Sequence, residues 1–217
     1  MKLGFIGLGK MGKAMVLRLL EQGIDVVVYN RTQHKIDELS SEIKNLKFKI
    51  KNSGRLYKAY QLDELVKLLE LPRIIWLMVP HGPPVDEMIE KLINNNPKVS
   101  IEPHLRGVPD RTPLVKLAKG DIIIDGGNSF YKDSVRRYEL LKAKGINYLD
   151  IGTSGGLEGA RNGACMMVGG DEEVQGCTAL WRLHEGAPGV RPMPVRRGDR
   201  VRDESLGQGH RDGESLN

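Results

Sequence analysis

The chain has few cysteines, few aromatic residues and no long apolar run. Its two cysteines among 217 residues, Cys165 and Cys177, are too few and wrongly spaced for a disulfide framework or a metal site, so we expect a reducing cytoplasm. No stretch approaches the ~20 apolar residues of a spanning helix, and the first strand is too short for the apolar region of a signal peptide. These absences predict a protein without a metal and without a membrane partner.

Charge of one sign is also in small excess, at a net +5 and a pI near 9.1. The densest basic run spans residues 44–58, where Phe48 and Ile50 alternate with lysines as on a solvated strand face. The charge is dispersed, so we do not expect nucleic acid as a partner. A phosphate-bearing metabolite accounts for a mild positive bias more economically, and 40% apolar content suits one sizeable core.

The amino terminus carries a glycine pattern between a strand and a helix. The apolar run Lys2 to Ile6 leads into Gly7 to Gly12 (GLGKMG), then a helical pattern runs to Gly23, and a second strand spans residues 25–29. A strand, a G-x-G-x-x-G turn, a helix and a second strand within about 30 residues predict a dinucleotide site with the pyrophosphate on helix amides. The expected cofactor contacts in this turn are Gly7, Leu8, Gly9, Met11 and Gly12.

Cofactor choice is expected to depend on the residues after the second strand. This chain has Asn30, Arg31 and Thr32 there, with no Asp or Glu to bind a free ribose 2′-hydroxyl. An arginine beside amide and hydroxyl donors suits a 2′-phosphate, which favours NADP over NAD. Two other interpretations stay open: Asn30 and Thr32 cap the next helix, or Arg31 stacks on adenine without discriminating, so NAD remains the alternative.

Further apolar runs predict the rest of an α/β fold. Strands are expected at 73–80, 121–125, 147–151 and 165–168, with helices at 61–70, 84–95 and 131–145 between them. This alternation predicts a doubly wound, mostly parallel sheet with helices on both faces. His81 is expected in a loop, and residues 98–113 are expected to be a loop-like insertion with no assigned chemistry.

Two motifs at strand ends are candidates for substrate contact. Asp125 to Ser129 (DGGNS) and Ile151 to Gly156 (IGTSGG) each follow an apolar run with small, amide or hydroxyl residues. Such residues let a ligand approach the backbone at the carboxyl end of a strand. Asn128 and Ser154 are therefore predicted substrate contacts rather than ordinary turn residues.

Taken with the glycine turn and the run Met166 to Gly170, these motifs resemble the decarboxylating 6-phosphogluconate dehydrogenases, especially their short form, from Met1 to about Val174. The resemblance implies a Rossmann-type domain and the oxidation of a small phosphorylated sugar acid, 6-phosphogluconate, by NADP. Loss of carbon dioxide then gives ribulose 5-phosphate, a reaction of gluconate utilization and the pentose phosphate pathway.

The resemblance also implies roles for individual residues. Met78, Val79 and Pro80 would lie near the ribose and nicotinamide, and Asn128 would lie between nicotinamide and the reacting alcohol. The substrate carboxylate and nearby hydroxyls would be held by Ser154, Gly155 and Gly156. The 3-hydroxyisobutyrate type of β-hydroxyacid dehydrogenase is the alternative, but it lacks the pair Gly126-Gly127 followed by Asn128 and Ser129.

The chain changes character after Val174. Residues 175–217 contain no Lys, Ile, Phe or Tyr and are rich in Arg, Gly, Pro and Glu. We therefore predict a cofactor-binding domain at 1–174 and a non-homologous, irregular or disordered tail at 175–217, whose abrupt composition resembles a reading-frame change.

The family's lysine base and glutamate acid lie in a following helical domain, so we assign no catalytic residue to this chain. The family forms homodimers, an assembly that we do not expect without the helical domain. A NADP-binding module without catalysis is the second alternative.

Overall fold

The computed structural model describes residues 2–46, 53–94 and 116–170. The predicted insertion at 98–113 and the predicted tail at 175–217 lie outside the described residues. The strands are β1 (Lys2–Ile6), β2 (Asp25–Tyr29), β3 (Leu56–Ala59), β4 (Ile74–Leu77), β5 (Ile122–Asp125), β6 (Asn147–Ser154) and β7 (Cys165–Gly170). The helices are α1 (Lys10–Glu21), α2 (His34–Leu46), α3 (Leu62–Lys67), α4 (Pro83–Asn94), α5 (Tyr131–Lys142) and α6 (Gly156–Asn162).

The seven strands form one sheet in the order β3-β2-β1-β4-β5-β6-β7. All neighbouring pairs are parallel except β6 and β7, which are antiparallel. The chain builds outward from β1 in one direction and from β4 in the other, so the strand order reverses between them. The prediction of a doubly wound, mostly parallel Rossmann-type sheet is confirmed.

Helices cover both faces of this sheet because its strands bury side chains on both sides. Every residue of β4 and of β5 is buried, as a continuous apolar run requires. One apolar cluster joins the sheet to α1, α2 and α6, and a second joins it to α3, α4 and α5. The prediction of helices on both faces of the sheet is therefore confirmed.

The glycines that the sequence suggested as helix stops have left-handed backbones. Gly23 follows α1 with φ 77°, and Gly145 follows α5 with φ 70°. These values favour glycine because a Cβ would be strained there. The predicted ends of α1 and α5 are consequently close to the observed ones.

Two elements of the structure, β3 and α6, were not predicted from the sequence. Strand β3 is short and only partly buried, so it lacks the apolar run that marks β4 and β5. Lys44 lies on α2 and Lys58 lies on β3. Phe48 and Ile50, on which the prediction of a solvated strand face rests, lie outside the described residues. Helix α6 begins within the glycines of the Ser154 to Gly156 motif, where sequence propensity argues against a helix.

None of the helices in the described ranges is both long and apolar enough to cross a membrane.

Candidate functional site

The glycine turn between β1 and α1 has three glycines with three different surroundings. A Cβ on Gly7 would lie 2.2 Å from the Met78 carbonyl oxygen, and one on Gly12 would lie 2.1 Å from the Gly7 carbonyl oxygen. Gly7 also has φ 106°. Gly9, in contrast, has no atom within 4 Å of its Cβ position. Two glycines are thus required by close backbone packing, while the middle one faces open space at the start of α1.

The loop after β2 is tied to this turn by Asn30. The Leu8 amide N–H donates to Asn30 Oδ1 at 2.9 Å, and Asn30 Nδ2 donates to the Thr32 carbonyl oxygen at 3.0 Å. Asn30 therefore holds the glycine turn and its own loop together and does not cap α2 with its side chain. Arg31 and Thr32 are both exposed beside it. Burial raises the pKa of Tyr29, and the positive charge of Arg31 partly offsets that rise.

The end of β4 lies beside the end of β1, where the glycine turn begins. The Met78 amide donates to the Ile6 carbonyl oxygen at 2.8 Å, which extends the pairing of β1 with β4 by one residue. Met78 and Val79 are partly buried, whereas Pro80 and His81 are exposed in the turn before α4. The position of His81 agrees with the loop that was predicted for it.

The β5–α5 loop brings Asn128 to the surface with an unusual backbone. Asn128 has φ 59°, and it alone among the non-glycine residues of the described ranges has a positive φ. The two glycines before it are needed for space: a Cβ on Gly126 would lie 2.4 Å from Trp76 Nε1, and one on Gly127 would lie 2.7 Å from the Val79 carbonyl oxygen. The Gly126-Gly127 pair lets the loop lie against β4.

The second motif stands at the end of β6. Asp150 pairs with Asp125 of β5, but β6 continues for four more residues to Ser154 and pairs there with β7. Ser154, Gly155 and Gly156 are exposed, and Gly155 has φ 108°. At about 3.3 Å per residue, Ser154 therefore lies roughly 13 Å further along the strand direction than Asp150.

The strand register places most of the predicted contact segments side by side at the carboxyl edge, and it places Ser154 further out on the same side. Tyr29, Ile6, Leu77, Asp125 and Asp150 are successive partners across five strands. A predicted contact segment begins with the next residue on β2, β1 and β4. Asn128 lies three residues beyond Asp125 of β5, and Ser154 lies four residues beyond Asp150 on β6. The edge that receives ligands in open α/β sheets therefore carries all of the predicted segments.

A buried charge cluster below this edge is the feature that the sequence interpretation missed. Asp125 is fully buried, and its carboxylate accepts hydrogen bonds from Tyr148 Oη (2.8 Å), Ser129 Oγ (2.8 Å) and the Gly127 amide (3.0 Å). Arg137, 1% exposed, pairs with Asp125 at 3.2 Å. The available signal was a carboxylate ending a strand of three isoleucines, which is costly to bury without a cationic partner.

The pKa values of Tyr148 and of Asp86, a second carboxylate that pairs with Arg137, are both shifted. The hydrogen bond from Arg137 holds the pKa of Asp86 below its usual value, although partial burial opposes the shift. Burial, followed by the charge of Asp125, raises the pKa of Tyr148 well above its usual value. Tyr148 therefore stays protonated at neutral pH and donates its hydroxyl proton to Asp125.

A separate groove of about 360 Å³ lies between α5 and the β6–β7 pair. Its lining comprises Tyr131, Ser134, Val135, Tyr138, Tyr148, Asp150, Gly169 and Gly170. None of these is a predicted contact residue, although Asp150 also belongs to the row of strand ends at the carboxyl edge. No group of three or more His, Cys, Asp or Glu side chains that would hold a metal occurs in the described ranges.

Comparison with proteins of known sequence identifies close relatives over part of their length. The putative 6-phosphogluconate dehydrogenase YqeC of Bacillus subtilis is 40% identical over 216 residues, which cover 97% of this chain and 56% of that protein. The NAD(+)-dependent, decarboxylating 6-phosphogluconate dehydrogenase of Bacillus subtilis is 40% identical over 172 residues, covering 79% and 31%. This chain thus spans about half of the first relative and about a third of the second.

Solved structures share the fold. The 6-phosphogluconate dehydrogenase of Plasmodium falciparum, studied with NADP+ and with 6-phosphogluconate, superposes with a TM-score of 0.68 at 32% identity, covering 87% of this chain and 35% of that one. The 3-hydroxyisobutyrate dehydrogenase of Mycobacterium tuberculosis gives a TM-score of 0.62 at 19% identity, covering 84% and 52%. At 19% identity, the second match shows a common fold only.

The family model for the NAD binding domain of 6-phosphogluconate dehydrogenase matches residues 2–179. That match ends five residues beyond the predicted boundary at 174, and the alignment with YqeC extends further still. The division into 1–174 and 175–217 stays a prediction. Since the family model spans most of the chain, the chain belongs to the 6-phosphogluconate dehydrogenase family and contains its NAD-binding domain.

Proposed function

We propose that this domain binds NADP and presents 6-phosphogluconate to it, for oxidation and decarboxylation to ribulose 5-phosphate. The observation that carries the proposal is the shared row of strand ends, in which the glycine turn, the Asn128 loop and Ser154 all project from the carboxyl edge. A cofactor lying across β1 and β4 would therefore have its reactive end beside the two substrate motifs.

The glycine turn fits a dinucleotide. Gly9 leaves open space beside the first turn of α1, where helical geometry leaves amide groups without an acceptor within the helix. Those amides suit a diphosphate. We expect Gly7, Leu8, Gly9, Met11 and Gly12 to form this part of the site, and NADP, when bound, to supply the hydride acceptor.

Support for NADP over NAD comes from the residues after β2. The amide of Asn30 is used within the protein, on Leu8 and Thr32, so Asn30 shapes the loop. Arg31 and Thr32 are exposed and free to meet a 2′-phosphate with a charge-assisted hydrogen bond. A relative that uses NAD(+) keeps NAD as the alternative within this family.

The chain's own polar groups would orient the substrate. Asn128 offers both an amide donor and a carbonyl acceptor from an exposed loop, which suits a hydroxyl that must be held near the nicotinamide. Ser154 and the backbone of Gly155 and Gly156 would bind the carboxylate and neighbouring hydroxyls. Met78, Val79 and Pro80 would line the nicotinamide end.

Calorimetric titration of the chain with NADP and with NAD tests the cofactor assignment. NADP should bind more tightly, and Arg31→Ala should weaken NADP by about 1.5–3 kcal/mol while leaving NAD unchanged. Arg136→Ala serves as the control, because Arg136 is an exposed arginine on α5, away from this loop. Equal weakening of NADP and NAD by Arg31→Ala would refute the 2′-phosphate contact.

A binding module without turnover is the second candidate, because the chain has no lysine after Lys144 to serve as the family's base. We expect the chain to bind NADP but to oxidise 6-phosphogluconate only at a trace rate. Parallel assays with 6-phosphogluconate and 3-hydroxyisobutyrate decide between the candidates. Turnover of 3-hydroxyisobutyrate alone would favour the other branch of the fold.

A further inference from the structure

Arg137 on α5 is almost completely buried, and each of its three guanidinium nitrogens is hydrogen-bonded. Nε and Nη2 donate to the two carboxylate oxygens of Asp86 at 2.8 and 3.2 Å. Nη1 donates to Ser129 Oγ at 2.8 Å and to Asp125 Oδ2 at 3.2 Å. Nη2 also donates to the Gly82 carbonyl oxygen at 3.1 Å.

These acceptors belong to two different loops of the carboxyl edge. Gly82 lies in the β4–α4 turn, two residues after Pro80, and Asp86 lies in the first turn of α4. Asp125 and Ser129 bracket the β5–α5 loop, which contains Asn128. One side chain therefore connects the loop expected at the nicotinamide to the loop expected at the reacting hydroxyl.

The β5–α5 loop needs such a connection. Asn128 has φ 59°, a conformation that is disfavoured for residues with a side chain, although less so for asparagine. The Gly127 amide and the Ser129 hydroxyl both donate to Asp125, so the loop is folded back over its own strand end around Asn128. Arg137 neutralises the carboxylate on which that folding depends.

A role in stability alone explains this arrangement poorly. A buried ion pair must overcome the cost of removing both charges from water, and an apolar cluster of similar volume is often equally stable. What the guanidinium adds is direction, because its planar donors fix the relative positions of several acceptors at once. In this cluster those acceptors all lie on, or next to, the two loops.

We propose that Arg137 is a positioning residue that sets the placement of the Asn128 loop relative to the Met78–Gly82 loop, and so prepares the nicotinamide end of the site. The inference rests on the proposed function. It predicts that Arg137 affects the nicotinamide half of the cofactor and leaves unaffected the adenine half, which would lie beside Arg31 after β2.

Two probes separate these halves. NADPH contains both, whereas adenosine 2′,5′-bisphosphate contains only the adenine half with its 2′-phosphate. The full chain, Arg137→Met and the matched control Arg136→Met are titrated with each probe by calorimetry. Arg136 is the adjacent arginine and also pairs with Asp86, but it is 53% exposed, and its ion-pair partners are Asp86 and Asp133, not Asp125.

Arg137→Met should weaken NADPH binding by about three- to thirtyfold and leave adenosine 2′,5′-bisphosphate within twofold of the wild type. Arg136→Met should change neither. Equal weakening of both probes, or no weakening of NADPH, would overturn the positioning role while leaving the proposed function intact. Failure of the wild-type chain to bind either probe would overturn the proposed function and this inference with it.

Ser129→Ala keeps the experiment decisive if Arg137→Met does not fold. This change removes one hydroxyl from the cluster but leaves both charges of the Arg137–Asp125 pair in place. A smaller loss of NADPH affinity, again without a change for adenosine 2′,5′-bisphosphate, is expected. An unchanged NADPH affinity in Ser129→Ala would contradict the proposal.

Discussion

Strand β5 has a fully buried carboxylate at each end, and the two have different partners. Asp121, just before the strand, accepts the backbone amides of Arg73 (2.7 Å) and Ala118 (2.8 Å) and pairs with the Arg73 guanidinium at 3.0 Å. Asp125, the last residue of the strand, is bonded to one backbone amide and to the side chains of Ser129, Arg137 and Tyr148.

The different partners give the two buried aspartates different structural roles. At the amino edge, Asp121 joins the chain segments before β4 and β5, far from the predicted ligand contacts. At the carboxyl edge, Asp125 holds side chains and a loop directly below Asn128. Burial and charge are therefore the same for the two carboxylates, and it is their sets of partners that distinguish them.

The largest expected effect comes from removing each carboxylate. Asp125→Ala leaves a buried arginine with fewer acceptors and should lower the free energy of unfolding by about 3–5 kcal/mol. Asp121→Ala leaves two backbone amides and the largely buried Arg73 guanidinium without their acceptor and should cost a similar amount. Urea unfolding gives both values. NADPH titration of the folded proteins should show weakened binding for Asp125→Ala only, and equal weakening in Asp121→Ala would remove the distinction between the two edges.

A second test compares two glycines of the turn, one expected to matter for stability and the other for NADP binding. Gly12→Ala should destabilise the fold by about 1–3 kcal/mol, because its Cβ would meet the Gly7 carbonyl oxygen. Gly9→Ala should change stability by less than about 1 kcal/mol, since its Cβ faces open space and its φ is −71°. NADP binding should nevertheless weaken in Gly9→Ala. Thermal unfolding with and without NADP measures both effects, and undiminished NADP binding by Gly9→Ala would place the diphosphate elsewhere.

The smallest expected effect concerns Asp150, which pairs with Asp125 across the sheet. Burial raises the pKa of Asp150, and the charge of Asp125 adds to the rise, while the charge of Arg137 opposes it. A raised carboxyl pKa means that stability present at low pH is lost as the pH rises through the folded-state value. Asp150→Asn should therefore stabilise the protein at pH 7, by up to about 1 kcal/mol for this half-buried group.

That gain should shrink on acidification below about pH 4, where the wild-type carboxyl is protonated in both states. Urea unfolding of the wild type and Asp150→Asn at several pH values tests this. Destabilisation by Asp150→Asn at pH 7 would show that the ionised form is favoured, as it is for a carboxylate with a cationic partner.

The sequence predicted those parts of the fold that depend on local patterns. The continuous apolar runs at β4 and β5 and the glycine turn before α1 are signals contained in a few consecutive residues. Strand β3 gave no such signal, because it is partly exposed and its place at the sheet edge follows from pairing with β2. Helix α6 was missed because its N-cap, Gly155, and its first residue, Gly156, are both glycines, and its position depends on packing against α1 rather than on propensity.

The candidate site divides in the same way. Gly7, Asn128 and Ser154 belong to short motifs and could be proposed without a structure. Arg137 lies 12 residues from Asp125 and 51 from Asp86, and only the fold brings the three together. The hydrogen bond between Asn30 and the glycine turn likewise could not be predicted without knowing that β2 ends beside that turn.

The two halves of strand β6 are supported by different neighbouring strands. Its first four residues are held by β5, whereas Ile151 to Ser154 extend beyond that strand and pair only with β7 in the described structure. A two-stranded ribbon twists more readily than the middle of a sheet. We therefore expect the Ser154 motif to shift more readily than the glycine turn on the central strands, within limits set by the packing of α6 on α1 and the Arg161–Glu21 ion pair. A ligand that contacts both parts would meet a fixed surface at the glycine turn and an adjustable one at the Ser154 motif.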